Sequence, residues 1–175
     1  MLVAMLIFSL VVGAAISLFI SGIQGQIKTL ATQRLLDQTS YTLEYMSRTL
    51  RMALKEGQQG VGQLDCLTQD GLNYEIVNSR LRFINHLEND DCQEFFLDGT
   101  RLKQRKAGEE LFLTSDNFEI ISLQFNLIGE LQPPDTNQPK VTFALRIRGK
   151  GRAFETVPEF NIQTTISQRN LDVLQ

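Results

Sequence analysis

The sequence predicts an α+β chain: one long amino-terminal helix followed by a β-rich head. Three observations carry that prediction. No Asp, Glu, Lys, Arg or His occurs before Lys28. From Gln24 to about Glu56 apolar residues recur at helical spacing with no proline among them. Beyond Gly60 the pattern changes to short alternating runs bounded by Gly, Pro and Asn. The chain divides accordingly into residues 1–23, 24–56 and 61–175. With 17 Lys and Arg against 20 Asp and Glu, the net charge of −3 lacks the basic excess of a general nucleic-acid binder, so no nucleic-acid partner is expected. A hydrophobic content of 42% with four prolines excludes wholesale disorder.

Residues 1–23 read MLVAMLIFSLVVGAAISLFISGI, and Ser9, Ser17 and Ser21 are their only polar side chains. Each hydroxyl can donate back to a helix carbonyl. As a helix the stretch is roughly 35 Å long against a hydrocarbon core of about 30 Å, enough to span with some tilt. A cleaved signal peptide is the competing reading. It calls for a basic n-region and an apolar run of only about 7–15 residues. The first is missing here and the run is longer, so a permanent single span is the expectation, with the head outside the cytoplasm.

The helix is expected to continue through 24–56 as an amphipathic rod. Leu36, Leu43 and Leu50 lie seven apart with Met46 between the last two, and these four are the expected packing face toward the head. Thr39 and Ser40 interrupt that stripe, which argues against a parallel coiled coil. Glu44 and Arg48 form a supporting i,i+4 pair. Gly57 and Gly60 stand where a C-cap is expected, and Gly13, Gly22 and Gly25 are candidate points of flexure.

In the head, Leu81–Leu87 is expected as a strand. Glu94–Leu97 leads into the tight-turn signal Asp98-Gly99 and returns as Arg101–Arg105. Glu110–Leu113 is short. A longer strand follows from Phe118 with a break in phase near Ile121. The cleanest alternation is Val141, Phe143, Leu145, Ile147, and Phe160, Ile162, Thr164, Ile166 repeat it. Residues 132–139 and 149–152 read as turns. The sheet is expected to be largely antiparallel with one face on the helix.

Cys66 and Cys92 are the only cysteines. In an oxidising compartment a disulfide is expected, closing a loop worth roughly 3.5 kcal/mol in the chain-entropy model; two buried thiols are the alternative. Neither CxxC spacing nor a His pair points to a metal. His86 is expected to be structural or exposed, since no nucleophile signature accompanies it. Glu88-Asn-Asp-Asp91 is rich in oxygen ligands of the kind calcium takes, but lacks EF-hand spacing and reads as a solvated turn. Glu109-Glu110 reads as a charged turn between strands. With no phosphate-cradling loop either, no cofactor and no enzymatic activity are expected.

Leu2-Val-Ala-Met-Leu-Ile-Phe-Ser-Leu10 resembles the hydrophobic segment that follows the prepilin peptidase site in type IV pilins and pseudopilins. Asn161–Arg169 is similar to the carboxyl end of minor pseudopilin-like proteins of the J and W types. The resemblance implies a pilin-like fold and a minor subunit of a type IV pilus or type II secretion-like machine. Its partners would be membrane lipid, other pilin or pseudopilin subunits and the assembly machinery. Leu2, Ala4, Met5, Ile7, Phe8, Val12, Gly13, Ala14 and Ala15 would pack in the membrane and the filament core, with Gly13, Ala14 and Ala15 admitting close neighbours. Family members carry Gly-Phe-Thr-Leu-x-Glu ahead of this segment, and alignment places Met1 directly after that Glu. The expectation is a start placed late in the reading frame, with the prepilin peptidase as a further partner if the motif lies upstream. A membrane-tethered binding or sensor domain is the rival class; a tethered enzyme would need a catalytic cluster that the sequence does not display.

Overall fold

A computed structural model describes residues 1–57, 66–86, 90–131, 137–150 and 159–169. The helix α1 runs unbroken from Leu2 to Arg51, 50 residues, through all three of its glycines. At 1.5 Å per residue that is a rod of about 75 Å. Residues 1–30 are exposed throughout, and burial begins only at Leu35.

The seven-residue repeat exists but sits one position earlier than the leucines suggest. The buried face is Leu35, Thr39, Thr42, Met46, Thr49 and Leu50. Leu36, expected to pack on the head, is 44% exposed, and Leu43 lies half-buried at the rim of the core. Met46 and Leu50 belong to both faces, so at about 100° per residue the contact face turns by roughly 55°. Threonine can occupy this face because each hydroxyl is satisfied within the helix. Thr39 donates to the Leu35 carbonyl at 2.6 Å, Thr42 to Gln38 at 3.0 Å and Thr49 to Tyr45 at 2.9 Å. With its polar group paired, threonine is a small β-branched hydrophobe that lets the helix approach the strands closely.

Two antiparallel sheets make the head. In the first, β1 (Ala53–Leu54) and β2 (Glu75–Val77) both pair with β3 (Arg80–Asn85), followed by β4 (Asp91–Asp98), β5 (Arg101–Lys106) and β6 (Glu109–Phe112). In the second, β7 (Phe118–Ile128), β8 (Lys140–Gly149) and β9 (Glu159–Ser167) form a meander. The β4–β5 hairpin pairs Asp98 with Arg101, and Gly99 takes φ 59° in the loop. That conformation carries little cost only without a Cβ. The break near Ile121 is a β-bulge: the register shifts between Ile120 and Ser122, leaving Ile120 buried and Ile121 exposed. Val141, Phe143, Leu145 and Ile147 are all buried, as their alternation predicts. Of the expected turns, 132–136 and 151–152 lie outside the described residues, as does Gly60.

The helix covers the seam between the sheets, touching β3, β8 and β9. Met46 and Leu50 meet Tyr74, Phe83, Phe95, Leu102, Ile120 and Phe143 in one core. A polar chain crosses it: the Tyr45 hydroxyl donates to Gln104 Oε1 at 2.6 Å, while the Gln104 and Asn85 side-chain amides both donate to Gln93 Oε1, at 3.1 and 3.2 Å. A smaller cluster of Leu54, Leu67, Leu72 and Ile84 surrounds the Cys66–Cys92 disulfide, which joins residues 26 apart in sequence.

The helix ends five residues before the expected Glu56, and Ala53–Leu54 turn into strand instead. Gly57 still makes a turn, at φ 76°, after that strand. This register of the helix is testable by urea unfolding of the full chain in detergent. Met46→Ala and Leu50→Ala are each expected to cost about 2–5 kcal/mol. Leu36→Ala is expected to stay within about 0.5 kcal/mol, and a comparable loss there would restore the leucine stripe.

Candidate functional site

The candidate site is the exposed part of α1 together with the seat that holds its other end. Leu2, Met5, Ile7 and Phe8 are 82%, 68%, 58% and 70% exposed, and Val12 is 38% exposed. Ala4, Gly13, Ala14 and Ala15 are exposed as well. No part of the most apolar stretch is buried within the chain, and the helix is long and apolar enough to cross a membrane.

These residues form a continuous cylinder, but they do not share one face. Gly13, Ala14 and Ala15 are consecutive, so they point in three directions about 100° apart. Gly13 also lies in the exposed i,i+4 row Ser9, Gly13, Ser17, Ser21 and Gly25, which places a small residue at every turn and drifts about 40° per step. Ser9 donates back to the Met5 carbonyl at 2.9 Å, so its hydroxyl brings no unmet polar group to that row. A Cβ built on Gly13, Gly22 or Gly25 would meet nothing within 4 Å. No described residue of the chain therefore requires glycine at those positions.

The other end is held by the head. The last carbonyls of a helix lack intrahelical donors and have to find them elsewhere. Here the Thr49 carbonyl accepts from the Met52 N–H at 3.1 Å, and the Leu50 carbonyl from the Tyr74 hydroxyl at 2.6 Å. Arg51 accepts from the Arg169 N–H at 2.8 Å, and Met52 from the His86 N–H at 3.0 Å. One residue later the Ala53 carbonyl accepts from the Gln168 side-chain amide at 2.7 Å. Donors thus come from the segment before β2, from the exit of β3 and from the exit of β9. Tyr74 is fully buried, and burial pushes its phenol pKa up, so it remains a donor. Arg48 and Arg51 in the last turn complement the helix dipole.

The outward face of the first sheet carries a paired ionic plate. Glu94, almost buried, receives Arg82 at 2.7 Å and Arg80 and Arg105 at 3.2 Å. Arg80 stacks on Phe96 at 3.9 Å and Arg101 on Phe112 at 3.6 Å. Glu109, expected in a turn, lies in β6 with Glu110, the start of the short strand expected there. Glu110 meets Arg105 at 2.6 Å and Lys103 at 3.2 Å, and those two hydrogen bonds hold its carboxyl below the ordinary range. Lys103 is raised by its hydrogen bonds to Asp98 and Glu110. The Glu110 contribution is present above the ordinary carboxylate pKa and is lost as pH falls through the lowered one. That of Lys103 is present below the ordinary lysine pKa and is lost as pH rises through the raised one. Both hold across neutral pH.

His86 is exposed, with Nδ1 3.0 Å from an Asp90 carboxylate oxygen. Glu88 and Asn89 of the acidic run lie outside the described residues. Among the described residues, no group of three or more His, Cys, Asp or Glu is placed to hold a metal ion. No protein-family model, curated protein or solved structure matches this chain.

Removing only the Tyr74 hydroxyl tests the seat. Tyr74→Phe keeps the ring in the core and removes the side-chain donor to the Leu50 carbonyl, which keeps a backbone N–H of the cap, at an expected cost of about 0.5–1.5 kcal/mol in denaturant unfolding. A loss within error would mean that the backbone N–H satisfies this carbonyl alone and that the tyrosine does not hold the helix end.

Proposed function

We propose that the chain is a minor pilin or pseudopilin subunit, stored in the cytoplasmic membrane with its head outside and drawn from there into a pilus or secretion-type pseudopilus. The supporting observation is a single helix with two environments. Its first thirty residues are exposed against the described residues, while 35–51 are seated and capped by the head.

About 35 Å of bare apolar helix has to be covered by lipid or by other helices. In the membrane, lipid covers it. In a filament, neighbouring helices replace lipid, and packing rather than hydrophobic burial drives the exchange. The row from Ser9 to Gly25 is where backbones could approach most closely. A rigid junction would let the head report and restrict the orientation of the rod, so that a minor subunit initiates or caps the filament and selects its neighbours. In this reading the chain works by assembly alone, and its partners are lipid, other subunits and the assembly machinery. The prepilin peptidase joins them if Gly-Phe-Thr-Leu-x-Glu is encoded upstream.

Gly13→Leu separates assembly from folding, because a side chain at Gly13 meets nothing within the subunit. In cells that carry the machinery, the variant is expected to remain carbonate-resistant in the membrane while its recovery in sheared filaments falls about tenfold. A Gly13→Leu chain that assembles like the parent, or a parent chain that washes off membranes, would overturn the proposal.

A further inference from the structure

One end of the head faces back along the rod. Leu35 packs with Phe118 and Ile147, whereas Met46 and Leu50 pack with Val141 and Phe143. From Leu50 back to Leu35 the helix covers about 22 Å, and from Val141 on to Ile147 the strand covers about 20 Å. β8 therefore runs along the helix toward its apolar end. Lys150 lies about 10 Å beyond Ile147, its N–H still held by the Asn117 carbonyl at 2.7 Å. Lys28 lies about 10 Å before Leu35 on the helix, so the two lysines stand at one level. They also stand on one side. Seven residues turn a helix through about 700°, which returns Lys28 to within about 20° of the Leu35 face, under the edge of the head.

Both lysines are exposed, and neither has an ion-pair partner among the described residues. The described carboxylates at that end of the sheet are occupied: Glu119 by Arg148, Glu159 by Arg146 and Asp116 by Arg101. Asp37, the first carboxylate on the rod, lies on the face of the helix opposite Lys28. Two like charges at one level, with no carboxylate between them, favour an anion from outside the chain. The helix identifies its source. The apolar run ends at Ile23, and Lys28 lies about 7.5 Å past it, in the interfacial layer that takes a bilayer from about 30 Å of hydrocarbon to about 40–45 Å overall. On the reading that residues 1–23 span a membrane, we propose that Lys28 and Lys150 together hold the phosphate of an anionic lipid, clamped between the rod and the end of the sheet. Each lysine can lay its alkyl stem along the apolar boundary and present its ammonium to the phosphate. The bound headgroup fixes the depth of the stored subunit and has to be given up when the rod leaves the bilayer.

The full chain is first floated, after a carbonate wash, with liposomes of phosphatidylcholine and of phosphatidylglycerol. It is expected to float with both, because insertion needs only the apolar run. Lysine acetylation is then followed by mass spectrometry in nanodiscs of each lipid. In phosphatidylglycerol Lys28 and Lys150 are expected to react about fivefold more slowly than in phosphatidylcholine, while Lys140, exposed at the far end of β8, reacts alike in both. Lys28→Gln is expected to return Lys150 to within about twofold of its phosphatidylcholine rate, and Lys150→Gln to do the same for Lys28. Thermal unfolding stays unchanged, and two separate variants at exposed positions keep the test valid if one fails to fold. Inorganic phosphate added to phosphatidylcholine nanodiscs is expected to protect neither lysine. Equal reactivity in the two lipids, variants that leave the other lysine protected, or protection by inorganic phosphate overturns the clamp alone. A chain that does not float overturns the span, and the clamp falls with it.

Discussion

The last turn of a long helix exposes carbonyls that nothing in the helix can satisfy, and in this protein the head supplies the donors. Tyr74, His86, Gln168 and Arg169 come from three separate segments, and each delivers a hydrogen bond to the stretch Leu50–Ala53. A cap built from glycine closes a helix locally and leaves its direction free. A cap built from distant segments exists only when the whole head is folded around it. The direction of the rod, the pairing of β1 with β3 and the exit of β9 are therefore set by one set of contacts. An exposed membrane-length helix becomes a rigid extension of the head rather than a tether.

The threonine face serves the same end. Leucines there would hold the helix further from the strands. Thr39, Thr42 and Thr49 hide their hydroxyls in their own helix and bring the backbone close, leaving Met46 and Leu50 to fill the core. Tyr45 then reaches the amide chain of Gln104, Gln93 and Asn85, which spans three strands. Such a chain favours one orientation of the helix, since sliding it would take the Tyr45 hydroxyl from the Gln104 side-chain oxygen. The disulfide lies away from this junction, in the smaller cluster below β1, where it supports the segment that delivers Tyr74.

Much of the head was legible because sheet physics is local. The alternation of β8, the hairpin at Asp98-Gly99 and the phase break that became the Ile121 bulge each follow from a few adjacent residues. The disulfide was legible from the cysteine count and the expectation of an oxidising compartment. The helix was legible as an element but not in register, because counting only apolar side chains passes over threonines that act as hydrophobes once their hydroxyls are bonded. Its end was misplaced for a related reason: no glycine marks a cap whose donors lie up to 118 positions away in the numbering, from Arg51 to Arg169. Strands as short as β1 and β2 have no periodicity to read and exist through pairing with β3. In the exposed helix, composition identified the cylinder, while the small-residue row emerged only when positions were placed at helical angles.

The most direct measurement is native-state hydrogen exchange on the full chain in nanodiscs, comparing residues 39–51 with Val141–Ile147. If the head holds the helix end, the two sets exchange through the same global opening, with the same dependence on denaturant. Residues 24–30, exposed ahead of the seat, exchange through smaller openings of their own. If 39–51 instead open separately at low cost while β8 stays protected, the helix is only tethered to the head, and the rigid junction is contradicted.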